Sequence, residues 1–430
     1  MPKSFRPYEP DQLLLLPPSL ADWVPEDHLA RFVGDVVASL DLRAIEETYT
    51  EERGYPPYHP RLMVTLLLYA YCTGVYSSRK IGRQVIDSVA FRFLAAGNTP
   101  DFRTISEFRR RHGLALAALF EQVLLLCRQA GLVKLGRVAI DGTKIKANAS
   151  KHKAMSYGRM KQEETRLRQE VAELLRRADV ADRDEDAHYG ADRSGDELPA
   201  ELARRESRLR MIAAAKAALE AEARAAAAER KAPDEPPPDR AQRNFTDPES
   251  KIQKSGDGFV QGYNAQLAVA EGQIIVAQHV TPAPLDVHQA LPALRRIKQT
   301  LRTVPKVLLG DGGYWSDANV RTLEGQGIEV LIATQRRRRG HHAPPPRAPR
   351  GRPPHGLTPQ QRMERRLATQ RGHRLYALRK LLVEPVFGQI KHARGFRQFL
   401  RRGLARVSEE WALICSAHNL LKLFAAQMVR

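Results

Sequence analysis

Cysteine is scarce in this sequence: 430 residues hold three, Cys72, Cys127 and Cys415, each inside an apolar run and none in a CxxC pair. That excludes a disulfide-stapled scaffold and a cysteine zinc site, and it reads all three as reduced core thiols. Long apolar runs are missing too. The stretch Leu13 to Leu16 is stopped by Pro17 and Pro18, far short of the roughly 20 residues a membrane helix needs. The opening MPKSFRPYEP is polar and proline-rich, unlike a secretory signal, so a soluble, cytosolic chain with no membrane partner is expected. Acidic residues are in deficit: 49 Asp and Glu against 69 Lys and Arg leave a net charge of +20 and a pI of about 10.1. Such a balance favours a polyanionic partner, nucleic acid before an anionic membrane. The 43% hydrophobic content supports a sizeable core, and the length predicts two or three domains.

Residues 1–132 read as helical. DHLARFVGDVVASL sets Leu29, Phe32, Val33, Val36 and Val37 on one helical face. HPRLMVTLLLYAYCTGVYSS predicts a buried helix, and SSRKIGRQVIDSVAFRFLAAG a further one, capped by its serines and ending near Gly97. NTPDFRTISEFRRRHG starts another, carrying Arg103, Arg109, Arg110 and Arg111. A basic helix after a short turn suits a DNA-binding module as well as it suits an ordinary helix pair with a basic exposed face. In LGRVAIDGTKIKANAS, Val138 and Ile140 lead into Asp141 and on to Thr143 and Ile145, a strand with a carboxylate near its middle.

Residues 151–243 change character. Met160, Leu167, Val171 and Leu174 form one a/d-like stripe, and Leu202, Leu209, Ile212 and Leu219 a second that Lys216 interrupts. This predicts an antiparallel helical hairpin around an acidic loop, DVADRDEDAHYGADRSGDELP, closed by the linker KAPDEPPPDR. Residues 257–335 read as α/β: a hairpin turning at Glu271–Gly272, the helix LDVHQALPALRRIKQTL, a buried strand ending in Asp311, a helix capped by Ser316, and the strand IEVLIAT. Residues 336–370 read as a basic, proline-rich linker containing Arg336 to Arg339. The remainder is helical in propensity, although Pro385 lies within it.

Asp141 and Asp311 each follow an apolar strand segment, in VAID and VLLGD. Reactive groups in α/β sheets gather at strand ends. Two carboxylates on neighbouring strands repel and raise one pKa, a conflict that a divalent cation removes. Mg²⁺ favours a few carboxylates together with water and phosphate oxygens, the arrangement that phosphoryl transfer uses. Glu384 supplies a third carboxylate, with Tyr376, Arg379 and Lys391 around it. Glu384 and Lys391 share a face if the helix runs on through Pro385. Asp286 and His288, in LDVHQALP, are read as a helix cap and a surface histidine, with support of the site as the alternative.

The stretches YPPYHPRLMVTLLLYAY, RTISEFRRRH, VAIDGTKIKANAS, DGFVQGYNAQLAV, LLGDGGYWSDANV and VEPVFGQIKHARGFRQF resemble bacterial insertion-sequence transposases of the DDE type that carry a helical N-terminal transposase domain. The resemblance implies an α/β ribonuclease-H-like catalytic core (133–430) with an all-α N-terminal domain (1–132) that binds DNA, and a helical-hairpin insertion at 151–243. It implies Asp141 on the first strand, Asp311 after the fourth and Glu384 on a late helix as catalytic metal ligands, holding Mg²⁺ or Mn²⁺, two ions in all. It implies a Tyr-Arg-Glu-Lys signature, here Tyr376, Arg379, Glu384 and Lys391, that contacts DNA. The commonest related spacing puts three residues between Arg and Glu; here there are four, and Lys380 stands at the shorter spacing. The implied partners are double-stranded DNA at the element's inverted repeats and target DNA, held by a homodimer in the bacterial cytoplasm and nucleoid. A ribonuclease-H-like nuclease that cuts without joining would use the same carboxylates, and an inactive DNA-binding remnant would need none of them.

Overall fold

A computed structural model of the chain describes residues 19–50, 56–189, 200–230, 233–255, 258–334, 349 and 351–428. Arg336 to Arg339, and the run Leu13 to Leu16, lie outside them. Seven helices come first: α1 (Leu29–Ser39), α2 (Arg43–Glu46), α3 (Pro60–Cys72), α4 (Ser78–Asp87), α5 (Val89–Leu94), α6 (Phe102–Arg111) and α7 (Gly113–Gln129). The α1 stripe is buried through Phe32, Val33, Val36 and Val37, and α3 is buried nearly all round. The single helix expected over 78–97 is two: Ser88 takes an extended conformation between α4 and α5, and Ser77 caps α4 without a side-chain bond. Asp101 does cap α6, accepting from the backbone N–H of Arg103 and Thr104 at 2.7 and 2.8 Å.

The second half of the chain begins with β1 (Arg137–Lys146) and the short β2 (Ala154–Ser156), followed by α8 (Tyr157–Tyr189) and α9 (Ala200–Arg230). Next come β3 (Gln242–Asn244), β4 (Lys251–Ser255), β5 (Gly258–Ala270), β6 (Ile275–Thr281), α10 (Ala290–Leu301), β7 (Val307–Gly310), α11 (Asp317–Glu324) and β8 (Glu329–Ile332). The chain closes with α12 (Pro359–Ala368), α13 (Gln370–Leu382), α14 (Glu384–Gly388), a π-helical turn (Gln389–Ala393) and α15 (Leu404–Gln427). Three expectations need correction. The acidic segment expected to loop between the hairpin helices is helical as far as Tyr189, because its Ala, Asp, Glu and Arg residues include no breaker before Gly190. The linker expected over 336–370 ends earlier. Thr358 and Gln361 form a reciprocal capping box, and Pro359 opens α12. The helix expected from Leu285 starts only at Ala290.

The main sheet runs β4-β5-β1-β7-β8, with β6 also paired to β5. β5 lies antiparallel to β1, β4 and β6, whereas β1, β7 and β8 are parallel. This mixed order, helices packed on it and a helical N-terminus, is consistent with a ribonuclease-H-like fold. β1 is central, and its first half (Val138, Ala139, Ile140) is fully buried. The apolar core is continuous across residue 132. α15 lies between the sheet and the N-terminal helices: Phe32 meets Phe424 with ring centroids 5.2 Å apart, Cys72 and Cys127 donate to the carbonyls of Ala417 and Asn419, and Trp411 donates to the Gln266 carbonyl at 3.3 Å. All three cysteines are free and buried, as expected. No helix among the described residues is long and apolar enough to cross a membrane.

Candidate active site

Strand register brings the two aspartates together. β1 and β7 pair Arg137 with Val307, Val138 with Leu308 and Ala139 with Leu309. The same offset carried two residues further sets Asp141 level with Asp311, just past the end of β7, across neighbouring strands that lie about 4.8 Å apart. Asp141 is inside β1 rather than at its end, because β5 continues to pair with β1 out to Lys146. Asp311 marks where β7 stops, and its carboxylate caps the next turn by accepting from the Gly313 N–H at 2.9 Å.

α13 crosses β1 and β7 and brings Arg379 to the pair. Its guanidinium donates to Asp141 Oδ2 at 3.0 Å and stands 3.8 Å from Glu384 Oε1. One half-buried cation thus bridges two carboxylates that are 243 positions apart in the chain. Burial opposes the Arg379 charge, but Asp141, Tyr376, Asp311 and Glu384 outweigh it and raise its pKa. The alternative at the shorter spacing, Lys380, is exposed. The helix resets at Val383, so Glu384 and Pro385 occupy the first turn of α14, where proline's missing N–H costs nothing. The Phe387 N–H still reaches the Val383 carbonyl, and helical structure runs on to the π turn that holds Lys391, whose ammonium donates to the Lys144 carbonyl at 3.1 Å. Tyr376 is half-buried. Desolvation, with help from Asp311 and Asp141, pushes its hydroxyl pKa up against the opposing Arg379.

Asp141 has the clearest electrostatic signature. Burial, then the neighbouring Asp311, pushes its pKa to about 7, although Arg379 and the Gly142 N–H both favour its charge. Paired oxygens that resist ionisation suit a divalent cation, and carboxylates are hard ligands of the kind Mg²⁺ selects. Glu384 is more open, with 53% of its side chain exposed. Among the described residues no three His, Cys, Asp or Glu groups are close enough together to enclose a metal ion; Arg379 stands between Asp141 and Glu384 instead.

The sequence reading undervalued one layer behind the carboxylates. Asp286 is not a helix cap. Its Oδ1 accepts from Asn264 and Gln266, each at 2.7 Å, and Lys144 lies 3.7 Å away. Gln266 in turn accepts from the buried Tyr314 hydroxyl, which ties the DGGYW turn bearing Asp311 onto β5. Gly142 makes room for this network: a Cβ there would collide with Gln266 and meet Asn264 and Asp286 oxygens at 2.8 Å. The polar pattern N-x-Q at 264–266, on the buried stretch of β5 that runs on into the apolar Leu267 to Ala270, was the available signal.

The N-terminal arginines divide. Arg109 turns inward, donating to the Tyr71 hydroxyl at 3.2 Å, to the Tyr76 carbonyl at 2.8 Å and to Ser78. Arg110 pairs with Glu107 at the surface. Arg111 donates to the Thr48 carbonyl at 2.7 Å and lies over the Tyr49 ring. Arg103 is exposed and, with Arg79, flanks the Phe102 ring.

A mixed sheet of this order, with Asp141 and Asp311 on neighbouring strands, is consistent with a ribonuclease-H-like core. Comparison with known families narrows it. Residues 231–420 match the family described as transposase DDE domain, and residues 18–111 match the transposase domain family DUF772. The two matches together support an insertion-sequence DDE transposase, a family that acts on DNA by phosphoryl transfer. The DDE match contains Asp311 and Glu384 and begins after Asp141. No curated protein and no solved structure matches the chain.

Proposed function

We propose that Asp141, Asp311 and Glu384 are the catalytic carboxylates of this transposase, and that Arg379, Tyr376 and Lys391 hold DNA phosphates beside them. The observation that carries this reading is Arg379 bridging Asp141 and Glu384, next to an Asp311 that register sets level with Asp141. Asp141, Asp311 and Glu384 would be the residues to hold Mg²⁺ or Mn²⁺, whose preference for oxygen donors their carboxylates match. Two such ions would supply charge neutralisation at the attacking and leaving oxygens. The protein's own contribution is position and charge. Asp141 and Asp311 are held on a rigid sheet, the Gln266–Tyr314 bond fixes the Asp311 turn, and Arg379 stands beside Asp141 where its guanidinium would hold a phosphate.

DNA at the element's inverted repeats is the proposed first substrate, target DNA the second, and a homodimer the acting unit, in the cytoplasm and at the nucleoid of a bacterium. In this reading residues 1–132 form the DNA-recognising domain, and residues 133–430 the catalytic one, interrupted by α8 and α9 as an insertion within 151–243. Arg103, Arg110 and Arg111 are left to face DNA, while Arg109 braces α6 against α3 and α4. The test is cutting of end DNA in Mg²⁺ by the parent and by Asp141→Asn, Asp311→Asn and Glu384→Gln. Each variant should lose cutting and keep DNA binding, because a metal ligand is removed and few phosphate contacts are touched. Residual cutting by any one of them removes that residue from the set.

A further inference from the structure

At the edge of the sheet away from Asp311, where β1, β7 and β8 begin, the structure opens a cleft of about 780 Å³ that contains none of the three carboxylates. Its charged lining is Arg137 at the head of β1, Lys306 before β7, Glu329 at the head of β8, and Arg371 and Arg374 on α13. Arg371 forks onto Glu329, with the second bond at 2.7 Å. Arg137 lies 3.2 Å from Glu271. Neither Lys306 nor Arg374 has a carboxylate partner among the described residues, so four cations face two carboxylates. Two of the cations are already held in place, and two are left to be neutralised from outside.

Spacing connects this cleft to the site. Arg137 precedes Asp141 by four residues on one strand, about 13 Å at about 3.3 Å per residue. α13 runs between the two places: Arg371 and Arg374 line the cleft, and Arg379, five residues on, reaches Asp141 about 7.5 Å further along the helix axis.

We propose that this cleft seats the phosphate backbone of the duplex being cut, gripping it to one side of the scissile phosphate. The proposal rests on the reading of Asp141 and Asp311 as the cutting site. Lys306 and Arg374 donate to phosphate oxygens, while Glu329 and Glu271 hold Arg371 and Arg137 in orientation. Contacts of this kind are blind to base sequence and fix register.

The test measures binding of a random-sequence duplex by the full chain between 50 and 200 mM NaCl. Lys306→Ala/Arg374→Ala should lower the slope of log affinity against log salt by about 1.8, two contacts at about 0.9 each. Over that fourfold salt range the parent should then lose about tenfold more affinity than the variant. Arg295→Ala/Lys298→Ala, on the exposed face of α10, removes the same charge and should leave the slope unaltered. Lys306→Arg/Arg374→Lys should restore it. A slope unchanged in the cleft variant, or lowered equally in the α10 variant, overturns the proposal. If the double variant fails to fold, Lys306→Gln alone decides it, with a fall of about 0.9 expected. Asp141→Asn should keep the parent slope. If it still cuts, the cutting site is misread, while the slope result stands by itself.

Discussion

The sheet core and the α8–α9 hairpin are held together by different forces. Around the sheet, one apolar cluster runs from α1 through β1 to α15 and includes Trp411 and Tyr314, both fully buried. The hairpin has its own small cluster of Tyr157, Met160, Leu167, Ile212, Ala215 and Leu219. Beyond that cluster it is laced by ion pairs: Lys216 to Glu164 at 2.8 Å, Arg205 to Glu170 at 2.9 Å, Arg243 to Glu222 at 2.6 Å. Its base is closed by β2 and β3. Lys216, which interrupts the apolar stripe, finds its partner on the facing helix. Burial of that kind is cooperative and insensitive to salt, whereas exposed pairs are individually weak and screened. The hairpin can therefore change without disturbing the sheet, and the reverse does not hold.

The largest expected effect follows from cutting into the shared core. Trp411→Ala removes a side chain that packs on the sheet and donates to Gln266, and it should cost about 3–5 kcal/mol in chemical denaturation. A loss below about 1 kcal/mol would mean that α15 does not join the two halves. The second effect concerns pH. Asp141 has a folded pKa of about 7, above the ordinary 3.8. The folded state therefore keeps a proton that the unfolded chain releases, and metal-free stability should fall as pH rises from about 4 to about 7 and then level off. Mg²⁺ prefers the ionised form, so it should stabilise the fold more at pH 8 than at pH 5.5, by up to about 2.7 kcal/mol at a hundredfold excess over its Kd. Asp141→Asn should flatten both dependences. The smallest effect is in the hairpin. Bonds from Lys216 and then Arg168 hold the Glu164 pKa down, so its contribution is present above the ordinary carboxylate range and disappears as pH falls through the lowered value. Glu164→Gln should cost less than about 1 kcal/mol in a melt at low salt, and less still at 1 M NaCl. Equal costs at both salts would place the hairpin with the core.

Local pattern was legible where one element decides its own form. The α1 stripe, the Glu271–Gly272 turn with Gly272 at φ 76°, the end of β7 at Asp311 and the Ser316 cap all follow from residues within a few positions. The break at Ser88 was not legible, because SVAFRF has no proline or glycine and only packing sets the kink. Arg109 shows the same limit. In FRTISEFRRRH it is one of three consecutive arginines, and only the position of α3 and α4 turns it inward while Arg110 stays in water.

From the sequence alone came the class of chemistry, the basic charge balance and the candidate acids, because carboxylates, charge and periodicity are properties of residues and short segments. Tertiary structure alone decided which residues meet. Arg379, rather than Lys380, reaches Asp141 because α13 crosses β1 at one rotation and the two side chains leave that helix 100° apart. Asp286 supports the site because β5 offers it Asn264 and Gln266. Such meetings depend on register and crossing angle, which the whole core sets together, and no local spacing encodes them.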